Sequence, residues 1–153
     1  MILVSACLAG LCCRYDGGIK KIPLIEKLVD QGKALPICPE QLGELPIPRQ
    51  RAEIREGSGE DVLAGKAEVY TQGGDKVTKE FILGAKRVLA LAQELGVKEV
   101  VFKAKSPSCG YGVIYKGDFS GKLVAGNGVT SALLAQHGIK IFNEEDKISF
   151  DQS

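Results

Sequence analysis

Apolar and polar positions alternate between strand-like and helix-like spacing along the chain. Ile2 to Ala6 is a short apolar run that leads into a glycine-bearing loop, the pattern of a buried strand. In the loop from Gly10 to Lys20, Asp16-Gly17-Gly18 is a turn signal. Pro23 suits the first turn of a helix, whose apolar stripe is Leu24, Ile25, Leu28 and Val29 and whose stop is Gly32. Ala34 to Cys38 reads as a second strand. Pro39 to Glu68, with Pro39, Pro46 and Pro48, reads as a long surface loop. Lys66 to Val77 reads as a hairpin or a poorly ordered segment around Gly73-Gly74. Thr78 to Leu95 carries the clearest helical period, with Thr78 as the expected N-cap and Gly96 as the stop. Glu99 to Lys103 predicts a third strand and Gly112 to Val124 a hairpin turning near Asp118 to Gly121. Val129 to His137 predicts a short helix and Ile139 to Phe142 a last strand, with the polar tail after Asn143 free to fray. Strands alternating with helices imply an α/β fold: a Rossmann-like three-layer sandwich on a mostly parallel sheet, plus a small β-hairpin.

The 153 residues suit a single α/β domain spanning 1–153, large enough to fold without disulfides or metal staples. A metal would therefore serve chemistry rather than folding. With 20 basic and 19 acidic residues the net charge is +1, so no global field draws in nucleic acid, which is not an expected partner. The N-terminal apolar run lacks a basic leader and breaks at Gly10 and Arg14. No run of about 18 apolar residues exists, so neither a signal peptide nor a membrane partner is expected and the default location is cytoplasmic. A homodimer is compatible with all of this.

Five cysteines and one histidine narrow the chemistry. An odd number of thiols in a reducing compartment argues against a disulfide framework, and a single His137 rules out zinc sites with two or three histidines. Cys7 follows the first strand, Cys38 ends the second and Cys109 follows the third. In a parallel sheet these ends share one edge, so the three thiols are expected to converge there. Three thiolates without histidine favour a thiophilic centre, and three-thiolate ligation leaves one iron of a [4Fe–4S] cluster open. Cys12 and Cys13 are adjacent, so at most one joins the site. Glu40 is the candidate acid or base. Ser106 and Ser108 flank Pro107 beside Cys109 and are candidate catalytic hydroxyls, Ser106 first. Arg14, Asp16, Gly17, Arg49 and Gly110 are the candidate substrate contacts. Among them, Arg49 either holds an anionic group or pairs with Glu40, and the amides near Gly17 and Gly110 orient substrate carbonyls. Arg14, Lys20, Lys103 and Lys105 are placed to offset negative charge. Gly126 and Gly128 open a helix whose amides could face an anion.

In order, the chain carries Val4-Ser5-Ala6-Cys7-Leu8-Ala9-Gly10, Cys13-Arg14-Tyr15-Asp16-Gly17-Gly18, Cys38-Pro39-Glu40, Leu45-Pro46-Ile47-Pro48-Arg49, Ser106-Pro107-Ser108-Cys109-Gly110 and Gly126-Asn127-Gly128-Val129-Thr130. Together these resemble a bacterial family first described as a domain of unknown function and including thiouracil desulfidase. The resemblance covers nearly the whole chain. It implies an oxygen-sensitive [4Fe–4S] cluster on Cys7, Cys38 and Cys109, whose open iron takes sulfur from a thiocarbonyl while water completes the oxo product. It also implies a small thiolated substrate of the 2-thiouracil type, with Glu40 and a serine of the Ser-Pro-Ser-Cys motif as helpers. The alternative reading is a non-enzymatic iron–sulfur or zinc-binding redox or regulatory module.

Overall fold

The structure, a computed structural model, describes residues 1–11 and 22–146. Four short strands, β1 (Ile2–Ser5), β2 (Ala34–Ile37), β5 (Glu99–Phe102) and β8 (Lys140–Asn143), form a wholly parallel sheet in the order β2-β1-β5-β8. Leu3 stands opposite Val100 and Val4 opposite Val101. Because successive strand residues face opposite ways, this register sorts the apolar side chains between two cores. Leu3, Val100, Phe102 and Ile141 face helices α4 (Thr78–Leu95) and α5 (Val129–Gln136), meeting Val88, Ala92 and Leu134. Val4 and Val101 face the other way, onto Ile25 and Leu28 of α1 (Pro23–Asp30). The result is the three-layer α/β sandwich expected. The expected hairpin is also present, as β6 (Val113–Tyr115) against β7 (Leu123–Ala125). No helix among the described residues is long and apolar enough to cross a membrane.

The segment from Pro39 to Glu68 departs from the loop expected. It holds α2 (Pro39–Leu42), β3 (Ala52–Arg55) and α3 (Gly59–Leu63), and leads into β4 (Glu68–Thr71), which pairs antiparallel with β3. Ile54, Val62 and Val69 close a third core with Phe81 and Ala85 of α4 and Ile114 of β6. Each element is only four or five residues long, too short for a period to stand out. The expected turn at Gly73-Gly74 is present, with Tyr70 bridging Lys76 and the Val77 amide donating to the Val69 carbonyl at 2.9 Å, but the longer pairing of β4 is with the upstream β3. Thr78 is not a side-chain cap of α4. Its hydroxyl accepts the Val69 amide at 2.9 Å and donates to the Glu68 carboxylate, tying the helix start to β4.

Helix α2 reaches the sheet edge by packing backbone to backbone on α4. A Cβ on Gly84 would stand 2.0 Å from the Pro39 carbonyl oxygen, and one on Gly43 2.0 Å from that of Glu80. Alanine inside a helix ordinarily stabilises by about 1 kcal/mol over glycine. Here the clash outweighs that gain, because a backbone carbonyl cannot rotate away. Gly84→Ala is expected to destabilise by about 1–3 kcal/mol, measured by urea unfolding, through a shift of α2 off α4.

Candidate active site

Three strand ends carry the thiols. Cys7 lies in a tight turn, Ala6–Ala9, directly after β1. Cys38 follows β2 and precedes Pro39, whose fixed φ starts α2. Cys109 lies in the loop after β5, where Lys105 adopts φ 71° and turns the chain back toward the sheet. All three line one cavity of about 220 Å³ at the carboxyl edge of the parallel sheet. Glu40, Arg49, Ser106 and Ser108 line it as well, so these sequence candidates share one site. Arg14, Asp16 and Gly17, together with Cys12, Cys13 and Lys20, lie outside the described residues.

The loop around Cys109 is held by α5. The amides of Val129, Thr130 and Ser131 donate to the carbonyls of Pro107 and Ser108, and Ser131 Oγ donates to the Cys109 carbonyl at 2.7 Å. The helix N-terminus, read from the sequence as facing an anion, therefore binds loop carbonyls instead. Gly128 belongs to the same junction, since a Cβ there would come within 2.6 Å of Ser108 backbone atoms. Gly110, expected as a substrate contact, likewise turns to the loop. Its amide donates to the Ser106 carbonyl at 2.9 Å, and the residue does not line the cavity. Its place is structural, because a Cβ would meet that carbonyl at 2.6 Å.

A hydrogen-bonded chain crosses the cavity wall. Arg49 Nε donates to Glu40 Oε1 at 3.1 Å, and Ser108 Oγ donates to Glu40 Oε2 at 2.8 Å. Ser106 Oγ accepts the Cys109 amide at 2.7 Å and stands 3.4 Å from Ser108 Oγ. With the Ser108 proton directed to Glu40, the Ser106 hydroxyl is the donor between the two. Ser108 is thus the serine in contact with the carboxylate, while Ser106, favoured from the sequence, holds its own turn. Arg49 does not stand free for a substrate anion. Only 6% exposed, it binds Glu40 and the Pro46 carbonyl and directs Nη2 at Cys38 Sγ, 4.0 Å away.

Hydroxyls also face the Cys109 sulfur: Ser5 hydrogen-bonds to it, and Ser108 Oγ lies 3.8 Å away. Burial pushes the Cys109 thiol well above the usual thiol range. Ser5 and Ser108 pull it down, while Cys38 and Glu40 add to the rise. A bound cation would favour the thiolate against that burial. With no such cation, alkylation at about pH 8 is expected to label half-buried Cys38 before buried Cys7 and Cys109, read peptide by peptide by mass spectrometry. Faster labelling of Cys109 than of Cys38 contradicts the assigned burial.

Among the described residues, no three His, Cys, Asp or Glu side chains are close enough to share a single metal ion. Three thiols and no histidine around one cavity are a donor set suited to a thiophilic inorganic core. The donors directed at two of the sulfurs agree with thiolate ligands.

Three neighbours of the site escaped the sequence reading. Ser5 Oγ accepts the Lys103 amide at 2.8 Å and links β1 to the loop after β5. Arg51 lies 4.6 Å from the Tyr115 ring centroid, and both line the cavity. Arg51 also pairs with Glu53, which is fully buried and accepts the amides of Gly117 and Phe119. Arg51 enters β3, and an arginine leading a strand inside an apparent loop left no signal to read. Lys105 pairs with Glu145 at the surface and does not line the cavity.

Fold and site together define a Rossmann-like α/β protein with a three-thiol cavity at the carboxyl edge of its sheet. The chain belongs to the 2-thiouracil desulfurase family, whose model matches residues 2–146. Among solved structures it is similar to the [4Fe-4S]-dependent thiouracil desulfidase TudS, at 44% identity and a TM-score of 0.84 over 94% of this chain and 90% of that one. It is also 49% identical to the Bacillus subtilis protein YbbK, named as uncharacterised, over 95% of this chain and 97% of that protein.

Proposed function

We propose that this protein removes sulfur as sulfide from a small thiolated heterocycle of the 2-thiouracil type, using a [4Fe–4S] cluster held by Cys7, Cys38 and Cys109. The observation that carries this reading is the meeting of three thiols from three strand ends in one cavity with the Ser108–Glu40–Arg49 chain. When bound, such a cluster supplies a soft Lewis-acidic iron that no protein group occupies, suited to thiocarbonyl sulfur. The residues of the chain do the rest. Arg49 and Ser108 fix the two oxygens of Glu40, so that the carboxylate presents one orientation to the cavity. Glu40 takes a proton from the attacking water, and Ser106 supports Ser108 from behind. Substrate and water give the oxo product and hydrogen sulfide, with no net redox change and no external reductant.

The test is anaerobic purification followed by iron, sulfide and zinc analysis and a thiouracil assay on the same sample. The expected result is about four irons and four sulfides per chain together with sulfide release from 2-thiouracil. Stoichiometric zinc, or a full cluster without sulfide release, overturns the reading in favour of a structural or regulatory module.

A further inference from the structure

Lys103 follows β5 directly, and its side chain lines the cavity. Its ammonium donates to the Ala104 carbonyl at 3.2 Å and meets Glu144 Oε2 at 3.0 Å. Glu144 is itself fixed. It is 4% exposed, and its Oε1 accepts the Ala104 amide at 2.6 Å. An ammonium carries three protons. Two have these acceptors, and the third has none among the described residues.

The sequence reading treated Lys103 as a charge that offsets an anionic centre. The Glu144 partner changes that, because the pair is neutral as a unit and its field falls off quickly. What remains is a directional donor, clamped from behind by a buried carboxylate. Lys103 lines the same cavity as the three thiols and Glu40, so a ligand seated there is within its neighbourhood. A polar group held in a partly dry cavity requires an acceptor when a ligand displaces water.

We propose that the Lys103 ammonium binds the exocyclic oxygen that the substrate carries in addition to its thiocarbonyl, and so sets specificity for oxo-substituted thiolated rings. This rests on the desulfidase reading above. A ring that lacks the oxygen leaves the donor unpaired and is rejected for that reason.

Two pairs of probes differ in this oxygen and in the N3 proton that goes with it, so the variant at Lys103 assigns the effect to the oxygen: 2-thiouracil against pyrimidine-2-thione as substrates, and uracil against pyrimidin-2-one as ligands. With the anaerobically purified wild-type protein, calorimetry is expected to show uracil binding roughly 10- to 100-fold tighter than pyrimidin-2-one. Lys103→Met is expected to lower kcat/KM for 2-thiouracil at least about tenfold more than for pyrimidine-2-thione, with the iron content unchanged, and to remove the preference for uracil. Equal binding of uracil and pyrimidin-2-one by the wild-type protein overturns the proposal even if the variant does not fold. An unchanged substrate ratio in a folded Lys103→Met protein overturns it as well, while wild-type sulfide release leaves the desulfidase reading standing. If the loaded wild-type protein releases no sulfide from either substrate, both proposals fall.

Discussion

Cys38→Ala is expected to bring bound iron and sulfide release down together to the background of the assay. Cys38 is the half-buried member of the three thiols and precedes the first helical residue of α2. Alanine there removes a sulfur without opening a deep void, so the change in folding stability should stay within about 1 kcal/mol. Loss of iron with the fold retained then isolates ligation from folding. Cys109→Ala makes the complementary case. Its side chain belongs to the core that Phe102 and Leu134 share, so it should lose iron and also about 1–2 kcal/mol of stability. Anaerobic iron analysis beside circular dichroism reads both quantities. A Cys38→Ala protein that keeps its full iron content would show that this thiol is not a ligand.

Glu40→Gln is expected to keep the iron and lose about 10²- to 10⁴-fold in sulfide release, the range general acid–base groups contribute. Glutamine has nearly the same shape, but an amide has only one acceptor oxygen. The amide oxygen can keep the Arg49 bond while the amide NH2 donates to Ser108 Oγ, which turns its own proton away, so the contacts persist while the basic oxygen is lost. Arg49 keeps the Pro46 carbonyl, so the stability loss should be modest, about 1–3 kcal/mol. Iron content, urea midpoint and sulfide release on one preparation separate the two effects. A variant with wild-type turnover removes Glu40 from the proton transfer assigned to it.

The contrast between the two serines explains where local reading stops. The Ser-Pro-Ser-Cys motif announces a turn beside a thiol, and the turn is there. Which hydroxyl meets the carboxylate depends on where α2 carries Glu40, and α2 is placed by the close approach of Gly43 and Gly84 between remote segments. Arg49 has the same history. The sequence left it between a substrate anion and Glu40, and a chain turn from Pro46 decides for Glu40 and sets it beside Cys38. Glu144 shows the limit most clearly. It lies in a polar stretch expected to fray, yet it is buried because Lys103 and the Ala104 amide are waiting for it.

By itself the sequence determined the sheet, its main helices and the edge at which the thiols meet. Those features follow from periodicity and strand order: an apolar residue at every second or every third to fourth position has one face to bury, and parallel strands end on a common side. Tertiary structure alone decided the β3–β4 pair, the work of the Thr78 hydroxyl, the structural place of Gly110 and the partners of Glu40, Arg49 and Lys103. Each of these is a hydrogen bond or backbone contact between segments far apart in the chain. Such pairings depend on the relative position of whole elements, which no local pattern of apolar and polar residues encodes.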